Sequence, residues 1–220
     1  MGKEEIYAKL KESIVEMDTD LAIEAAKEAI AAGLDPLQCI SAGLSEGMAV
    51  MSEQFDEGEA FVPDLMMAAE AFEAAVEILT GSLSEEEKNK ASAGKILIHT
   101  VEGDIHDIGK NIVKTMFAAN NFQVFDLGRD VPVTTVIEKS EEYGVDIICG
   151  SALMTTTMAA QREIIGQLKE DGIREKYIVM FGGAPVSEKW CSDIGADGYS
   201  DTAAEAVAVA KDLLIKKRGA

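Results

Sequence analysis

The first 80 residues place apolar side chains at helical spacing, separated by acidic and small residues. Ile6, Leu10 and Ile14 recur every four residues, and a shorter apolar pattern covers residues 21–30. Two longer patterns each follow a proline, a residue that suits the first turn of a helix. Their apolar positions are Leu37, Ile40, Leu44, Met48, Met51 and Phe55 in one helix, and Leu65, Ala69, Phe72, Val76 and Leu79 in the next. The four patterns predict a small four-helix bundle.

The segment at residues 81–92, G-S-L-S-E-E-E-K-N-K-A-S, is charged, and its one large apolar residue is Leu83. This composition predicts a linker rather than a further packed helix. We therefore expect a helical domain with its linker over residues 1–91 and a second domain over residues 92–220.

After Gly94 the pattern changes to short apolar runs bounded by Gly or Asn. Helical patterns lie between these runs, and a last helix is predicted from about residue 202 to residue 217. Strands that alternate with helices predict an α/β domain, with a parallel sheet covered on both faces. Five strands suit a flavodoxin-like, Rossmann-like sheet. The strand candidates are K-I-L-I-H-T (95–100), Q-V-F-D-L-G (123–128), V-D-I-I-C-G-S (145–151), Y-I-V-M-F-G-G (177–183) and a short A-D-G-Y-S (196–200).

The acidic composition argues against several classes of function. The formal net charge is −20, which opposes nucleic acid and anionic membranes because phosphate binding needs clustered Lys and Arg. The N-terminal residues lack the apolar core of a secretory signal, and no apolar run is long enough to span a bilayer. The three cysteines are widely spaced, which argues against a disulfide framework and a structural zinc site. We expect a cytoplasmic protein without nucleic-acid or membrane partners.

One of the two histidines, His106, lies in the loop E-G-D-I-H-D-I-G-K-N at residues 102–111. In a doubly wound sheet, ligands bind beyond the carboxyl ends of the strands, at the switch between the first and third strands. The His106 loop follows the first predicted strand, residues 151–155 follow the third, and residues 181–185 follow the fourth. We therefore expect three loops to converge on one edge of the sheet.

The residues beside His106 suit a metal ligand. Asp104 can accept the proton of one ring nitrogen, which fixes the tautomer and makes the other nitrogen a better metal donor. A bare zinc ion takes about four ligands, but the second histidine, His99, is expected inside the first strand as a packed residue. A metal that brings its own equatorial ligands needs one imidazole, which points to a metal macrocycle.

Small residues at the strand ends agree with a bulky ligand. Gly150, Gly182 and Gly183 leave space there. Ser151 and Thr155 offer hydroxyls that can hydrogen-bond a heterocycle entering the sheet. Together these residues predict a deep slot between strands, with His106 at its mouth.

The motifs resemble those of a known family. D-I-H-D-I-G (104–109) resembles the D-x-H-x-x-G signature of cobalamin-binding domains, S-A-L (151–153) their S-x-L element, and Gly182-Gly183 their G-G element. M-S-E-Q-F-D-E-G-E-A-F-V-P-D-L-M-M-A-A (51–69) resembles the helical cap of the same corrinoid proteins. S-A-L-M-T-T-T-M and M-F-G-G-A-P-V-S-E-K-W are similar to corrinoid proteins of methylamine methyltransferase systems, most of all the monomethylamine one. The resemblance covers nearly the whole chain.

The resemblance implies a cobalamin or other corrinoid bound base-off and His-on. The nucleotide base is then detached from cobalt and buried in the Rossmann-like domain, with His106 as the metal ligand and Asp104 as its hydrogen-bond partner. These two residues are the catalytic residues that it implies. The implied cofactor-binding set is Gly103, Asp104, Ile105, His106, Asp107, Gly109, Ser151, Leu153, Thr155, Gly182 and Gly183.

The function that the resemblance implies is a methyl carrier. Cobalt(I) would accept a methyl group from a methylamine, with monomethylamine favoured, through a substrate-specific methyltransferase. A second methyltransferase would pass it to coenzyme M, as in methanogenesis, or to a folate, and a reductive activation protein would be a further partner. The chain would be a corrinoid subunit of a methyltransferase system, not a complete enzyme alone.

The helical domain is expected to cover the upper face of the corrin. Phe61, Leu65 and Met66 are the candidate covering residues, although a place in the core of the bundle explains them equally well. Residues 81–92 would serve as the hinge that lets a partner reach cobalt.

Several alternatives stay open. The same architecture suits carriers for dimethylamine, trimethylamine, methanol or a betaine, and also a cobalamin-dependent sensor or regulator. A regulator would carry a basic DNA-binding region, which this acidic chain lacks. The small subunit of an adenosylcobalamin mutase and a flavin- or nucleotide-binding protein fit less well, the latter because residues 102–111 contain neither G-x-G-x-x-G nor a P-loop pattern.

Overall fold

The computed structural model describes residues 2–81 and 92–219. Contacts divide the chain into two compact units, Met1–Ala93 with Thr115–Asn121, and Gly94–Lys114 with Phe122–Ala220. The domain boundary expected after residue 91 stays a prediction. Apart from its two ends, the linker and hinge expected at residues 81–92 lies outside the described residues.

The first unit contains the four predicted helical stretches. The third is continuous but changes its hydrogen-bonding pattern, because a π-helical turn at Ile40–Leu44 joins two α-helical segments. Asp18 caps the second stretch by accepting the Leu21 amide at 2.9 Å. The helices are α1 Lys3–Val15, α2 Thr19–Ala31, α3 Pro36–Cys39, α4 Ser45–Glu57 and α5 Val62–Thr80.

The apolar faces predicted from the sequence form the core of this unit. Each large side chain removed from water contributes roughly 1.5–3 kcal/mol relative to an exposed one. The spacing of three and four residues therefore brings the helices together along these faces. Its fully buried large residues include Leu10, Ile14, Leu44, Met48, Leu65 and Phe72.

The second unit is an α/β domain with a parallel sheet. Its four strands lie in the order β2-β1-β3-β4. The second strand is added on one side of β1 and the third on the other side, so the switch point of the sheet lies between β1 and β3. The strands are β1 Gly94–Thr100, β2 Phe122–Asp126, β3 Ile147–Ser151 and β4 Ile178–Gly182. The helices that alternate with these strands along the chain are α6 Ile108–Ala119, α7 Val133–Tyr143, α8 Met158–Glu170, α9 Glu188–Ile194 and α10 Ala203–Gly219, with a 3₁₀ turn at Arg174–Lys176. The end of α6, from Thr115 onwards, belongs to the first unit.

The prediction of a fifth strand at residues 196–200 was wrong in the described residues. One isolated bridge, between Met180 and Gly198, remains of it. The physical reason is that the Asp197 carboxylate, rather than a backbone carbonyl, accepts the Val179 amide at 2.7 Å. Arg174 holds the same carboxylate at 2.8 Å. The Asp197 amide still donates to the Val179 carbonyl at 2.8 Å and the Phe181 amide to the Gly198 carbonyl at 3.2 Å, so backbone pairing with β4 is limited to this one bridge and the Asp197 side chain replaces the next bond of a ladder.

The strand register brings the predicted loops to one edge of the sheet. Thr100 at the end of β1 pairs with Ser151 at the end of β3, and Ser151 pairs with Gly182 at the end of β4. The His106 loop, residues 152–157 and the residues after Gly182 therefore leave the sheet side by side. The predicted convergence of the three loops is confirmed.

The core of the second unit lies between the sheet and the helices that cover it. Leu97, Ile148 and Val179 come from adjacent strands, and Ile164 and Leu168 of α8 pack in the same buried cluster. Among residues 2–81 and 92–219, no helix is both long and apolar enough to cross a membrane.

Candidate functional site

Asp104 and His106 form a hydrogen-bonded pair at the carboxyl edge of the sheet. The Nδ1 atom of His106 lies 2.7 Å from Oδ1 of Asp104, and the same carboxylate oxygen accepts the His106 backbone N–H at 3.0 Å. The Asp104 side chain is fully buried, whereas the His106 side chain is 46% exposed. Since the carboxylate accepts the Nδ1 proton, the Nε2 lone pair stays available to a ligand.

The other oxygen of Asp104 joins the His106 loop to the loop after β3. Oδ2 accepts the Leu153 amide at 2.8 Å, the Met154 amide at 3.3 Å and the Thr157 hydroxyl at 2.8 Å. Burial raises the pKa of the Asp104 carboxyl, but the hydrogen bonds from His106, Leu153 and Thr157 outweigh burial and hold the pKa well below its usual range. Asp104 is therefore an ionised acceptor at neutral pH.

The remaining predicted residues of this loop surround the pair. Gly103 is exposed, with its N–H bonded to Asp130, and Ile105 is exposed on the loop surface. The Asp107 carbonyl accepts the Asn111 amide at 2.8 Å, which begins the first turn of α6. No atom lies within 4 Å of the Cβ position of Gly109, so its surface is open.

The predicted residues of the third and fourth strands lie at neighbouring strand ends. Ser151 is partly buried, whereas the Leu153 and Thr155 side chains are exposed. Gly182 has open space where a Cβ atom would lie. Gly183 has a φ of +118°, and a Cβ there would lie 1.9 Å from the Ala152 carbonyl oxygen, so glycine is required for this close approach.

The ligand atoms available here suit a metal that arrives already coordinated. Within the described part of the chain, no group of three or more His, Cys, Asp or Glu side chains is arranged to hold a metal ion. His106 offers one nitrogen, fixed by a carboxylate in the manner of metal-binding histidines. A single imidazole fits a metal that a macrocycle such as a corrin already holds, and does not fit a bare tetrahedral ion.

The second histidine is excluded as a ligand. His99 is fully buried in β1, opposite Gly150 of β3, as expected for a packed strand residue. Burial lowers its pKa to about 4, against a smaller opposing effect of the Cys149 backbone. His99 is therefore a neutral core residue at physiological pH.

Reasoning from the sequence missed Thr157 and Asp130. Thr157 binds the carboxylate of Asp104, and Asp130 binds the Asp104 carbonyl through its backbone N–H and the Gly103 N–H through its side chain. The T-T-T run after S-A-L-M was visible as hydroxyls at the start of a helix. Asp130 had no comparable signal.

The three residues proposed to cover the corrin differ in their exposure to solvent. Leu65 is fully buried in its core, which contradicts a covering role. Phe61 and Met66 are 66% and 58% exposed, and Met67 beside them is also exposed. That Phe61 and Met66 cover a corrin stays a prediction.

Comparison with known proteins agrees with this geometry. Two family models, each described as a B12 binding domain, match residues 94–208 and 6–80. Trimethylamine corrinoid protein 2 of Methanosarcina mazei is 47% identical over 213 residues, which cover 97% of this chain and 98% of that protein. Monomethylamine corrinoid protein 2 of Methanosarcina barkeri is 43% identical over 216 residues, which cover 97% and 100%.

Solved structures support the same grouping. The methanol:cobalamin methyltransferase complex MtaBC from Methanosarcina barkeri matches with a TM-score of 0.80 and 35% identity, covering 97% of this chain and 81% of that chain. Fold, loop geometry and family models together define a B12-binding protein with a helical unit and a Rossmann-like unit. The chain belongs to the family of corrinoid proteins of methylamine methyltransferase systems. Within that family, the higher identity to the trimethylamine protein does not favour the monomethylamine member.

Proposed function

We propose that this protein binds its corrinoid base-off and His-on, with Nε2 of His106 as the lower ligand of cobalt. The observation that carries the proposal is the 2.7 Å contact between His106 Nδ1 and the buried Asp104 carboxylate. It holds the ring in one orientation and leaves Nε2 on the exposed side. When bound, the corrinoid supplies a cobalt(I) nucleophile that takes up a methyl group and later releases it.

The protein's own residues then position and retain the cofactor. Asp104 keeps the proton on Nδ1, and the hydrogen bonds from the loop after β3 keep that carboxylate ionised and fixed. Ser151 and Gly182, paired in register at neighbouring strand ends, are the proposed walls of the slot for the detached nucleotide base. The open space at the Gly182 Cβ position supports this assignment.

A methylamine is the proposed source of the methyl group. The relatives from Methanosarcina are named for trimethylamine, dimethylamine and monomethylamine, with identities of 47%, 46% and 43%. These identities put trimethylamine first among the candidate amines, narrowly ahead of dimethylamine. An amine-specific methyltransferase is the proposed first partner, supported by the likeness to a chain of the methanol:cobalamin methyltransferase complex MtaBC. A second methyltransferase acting on coenzyme M or a folate, a reductive activation protein and a cytoplasmic location complete the proposal.

Optical spectra of the protein reconstituted with hydroxocobalamin test the ligation. The wild-type spectrum is expected to show imidazole coordination with the nucleotide base displaced. His106→Gln is expected to lose that signature. His99→Leu is the matched control, because it removes the other, buried histidine and is expected to keep the signature. Identical spectra for wild type and His106→Gln would overturn the proposed ligation.

Methyl transfer tests the carrier role separately. The reduced holoprotein is mixed anaerobically with methyltransferases specific for mono-, di- and trimethylamine, each with its own amine, and methylation is followed spectroscopically. We expect transfer with one amine system, trimethylamine in the first place. Rapid transfer from another amine would assign that amine as the methyl donor. Transfer from none of the three would contradict the proposal that the protein is a methylamine carrier.

A further inference from the structure

The loop after β2 runs along the loop that carries His106. The Thr100 amide donates to the Gly128 carbonyl at 2.9 Å, and the Val131 amide donates to the Thr100 carbonyl at 3.2 Å. Further along, the Val133 amide donates to the Glu102 carboxylate at 3.3 Å. The two segments therefore support each other beyond the end of the sheet.

Asp130 makes the two contacts of this loop that lie nearest to the Asp104–His106 pair. Its backbone N–H donates to the Asp104 carbonyl at 2.9 Å. Its carboxylate accepts the Gly103 N–H at 2.7 Å. One residue thus binds the backbone on both sides of the peptide bond between Gly103 and Asp104.

The backbone of Asp130 has an unusual conformation. Its φ is +52°, in the left-handed region that non-glycine residues adopt at a cost and that Asp and Asn tolerate best. Such strain persists where surrounding contacts enforce it, often beside functional sites. Here the conformation directs both the N–H and the carboxylate of Asp130 towards the His106 loop.

We propose that Asp130 is a positioning residue for the cobalt ligand. It anchors the main chain of Asp104 from the β2 side, while residues 153–157 anchor the Asp104 carboxylate from the β3 side. Loss of the first anchor frees a glycine-containing loop, so the carboxylate, and with it the His106 ring, becomes less fixed. This inference rests on the proposed function, because it takes His106 as the ligand of cobalt.

Two substitutions separate the hydrogen bond from the backbone strain. Asp130→Gly relieves the left-handed strain and keeps the backbone N–H but removes the side-chain acceptor. Asp130→Asn keeps an oxygen acceptor for the Gly103 N–H and tolerates the same φ. Asn121→Gly is the matched control, because Asn121 also has a positive φ, of +64°, but precedes β2 at the opposite end of that strand.

The first measurement uses the protein without cofactor. In amide hydrogen exchange, the Gly103 N–H is expected to exchange at least threefold faster in Asp130→Gly than in wild type, and at a wild-type rate in Asp130→Asn and Asn121→Gly.

The second measurement is the optical spectrum of the protein with hydroxocobalamin and its affinity for that cofactor. Changing residues that hold a metal ligand in place typically weakens metal binding about 10- to 100-fold. Because Asp130 acts through Asp104 and is exposed, we expect Asp130→Gly to weaken the affinity for hydroxocobalamin by about tenfold or less.

The outcomes distinguish the two proposals. Weaker affinity and a reduced imidazole signature in Asp130→Gly, with both retained in Asp130→Asn, support the positioning role. A residue that merely stabilises the fold would lower thermal stability and leave the spectrum of the folded holoprotein unchanged. A wild-type spectrum and affinity in Asp130→Gly, or an equal loss in Asp130→Asn, overturns the inference alone. A wild-type spectrum that is insensitive to His106→Gln overturns the proposed function and this inference with it.

Discussion

The Thr157 hydroxyl donates to Oδ2 of Asp104 at 2.8 Å, while Oδ1 of the same carboxylate lies 2.7 Å from the His106 ring. Asp104 and Thr157 are 53 residues apart in the chain and come from the loops after β1 and β3. Thr157 is therefore part of the hydrogen-bond network that holds the His106 imidazole in place. The carbonyl of Met154, at 2.9 Å, competes for its single proton, but an ionised carboxylate is the stronger acceptor.

Replacing Thr157 by Val is expected to destabilise the second unit. The change keeps the shape of the side chain but leaves Oδ2 of a buried carboxylate with one donor fewer, at a cost of about 1–3 kcal/mol in unfolding free energy. Urea unfolding followed by fluorescence of Trp190, the single tryptophan and a residue of the second unit, measures this cost. Thr157→Ser restores the hydroxyl and should recover most of the stability. Equal losses in the Val and Ser variants would show that the methyl group, and not the hydrogen bond, is responsible.

Local patterns in the sequence were sufficient for much of the architecture. The apolar runs at residues 95–100 and 145–151 became central strands because burial on both faces of a parallel sheet requires such runs. The A-D-G-Y-S segment failed as a strand because Asp197 uses its side chain to bind Val179, and a pattern of residue types does not reveal that choice.

The site was predictable only in part for a related reason. Asp104 and His106 are two residues apart, so their hydrogen bond follows from local spacing. The contacts of Asp104 with Thr157 and Asp130 depend on how the strand order brings distant loops together. The left-handed conformation of Asp130 is likewise enforced by its partners in the fold, and a single aspartate in the sequence does not indicate it.

The paired glycines after β4 are expected to respond differently to the same substitution. Gly183→Ala places a methyl group 1.9 Å from the Ala152 carbonyl oxygen, at a φ of +118°. Backbone must move, so we expect a loss of several kcal/mol in unfolding free energy, above the roughly 0.5–3 kcal/mol that is usual for point mutations.

Gly182→Ala meets no atom within 4 Å and should leave stability nearly unchanged. Its affinity for hydroxocobalamin should nevertheless fall if Gly182 lines the slot. Wild-type affinity in a folded Gly182→Ala protein would remove Gly182 from the proposed site.

Acid should destabilise the second unit through His99. Its folded pKa of about 4 lies below the ordinary value of 6.5, so the unfolded chain binds a proton more readily. Stability is therefore full above pH 6.5 and falls as the pH drops towards 4, by up to about 3 kcal/mol. Lys110 and Asp126 are the charged groups that act on the ring, with opposite signs: Lys110 lowers its pKa and Asp126 raises it.

His99→Leu removes this titration and should flatten the unfolding free energy between pH 6.5 and 4. His106→Gln is the control, because it retains the buried His99 and should keep the acid sensitivity. Trp190 fluorescence in urea at several pH values gives the comparison. An unchanged pH dependence in His99→Leu would assign the acid sensitivity to other groups.

Breaking the buried ion pair at the start of α6 should be costly. Lys110 is almost fully buried and donates to Asp126 at 2.7 Å, whereas the half-exposed Lys114 donates to the other oxygen of Asp126 at 3.1 Å. Burial raises the pKa of Asp126, but the hydrogen bonds from Lys110, Gly128 and Lys114 lower it below its usual value. Breaking a fully buried pair costs about 3–5 kcal/mol. Because Lys114 remains, we expect Lys110→Met to cost somewhat less, about 2–4 kcal/mol by urea unfolding. Lys114→Met should cost about 1 kcal/mol or less.

Adding Asp126→Asn to Lys110→Met removes the uncompensated carboxylate and should recover part of the loss. Equal costs for the two lysine variants would show that burial of Lys110 adds nothing to the pair.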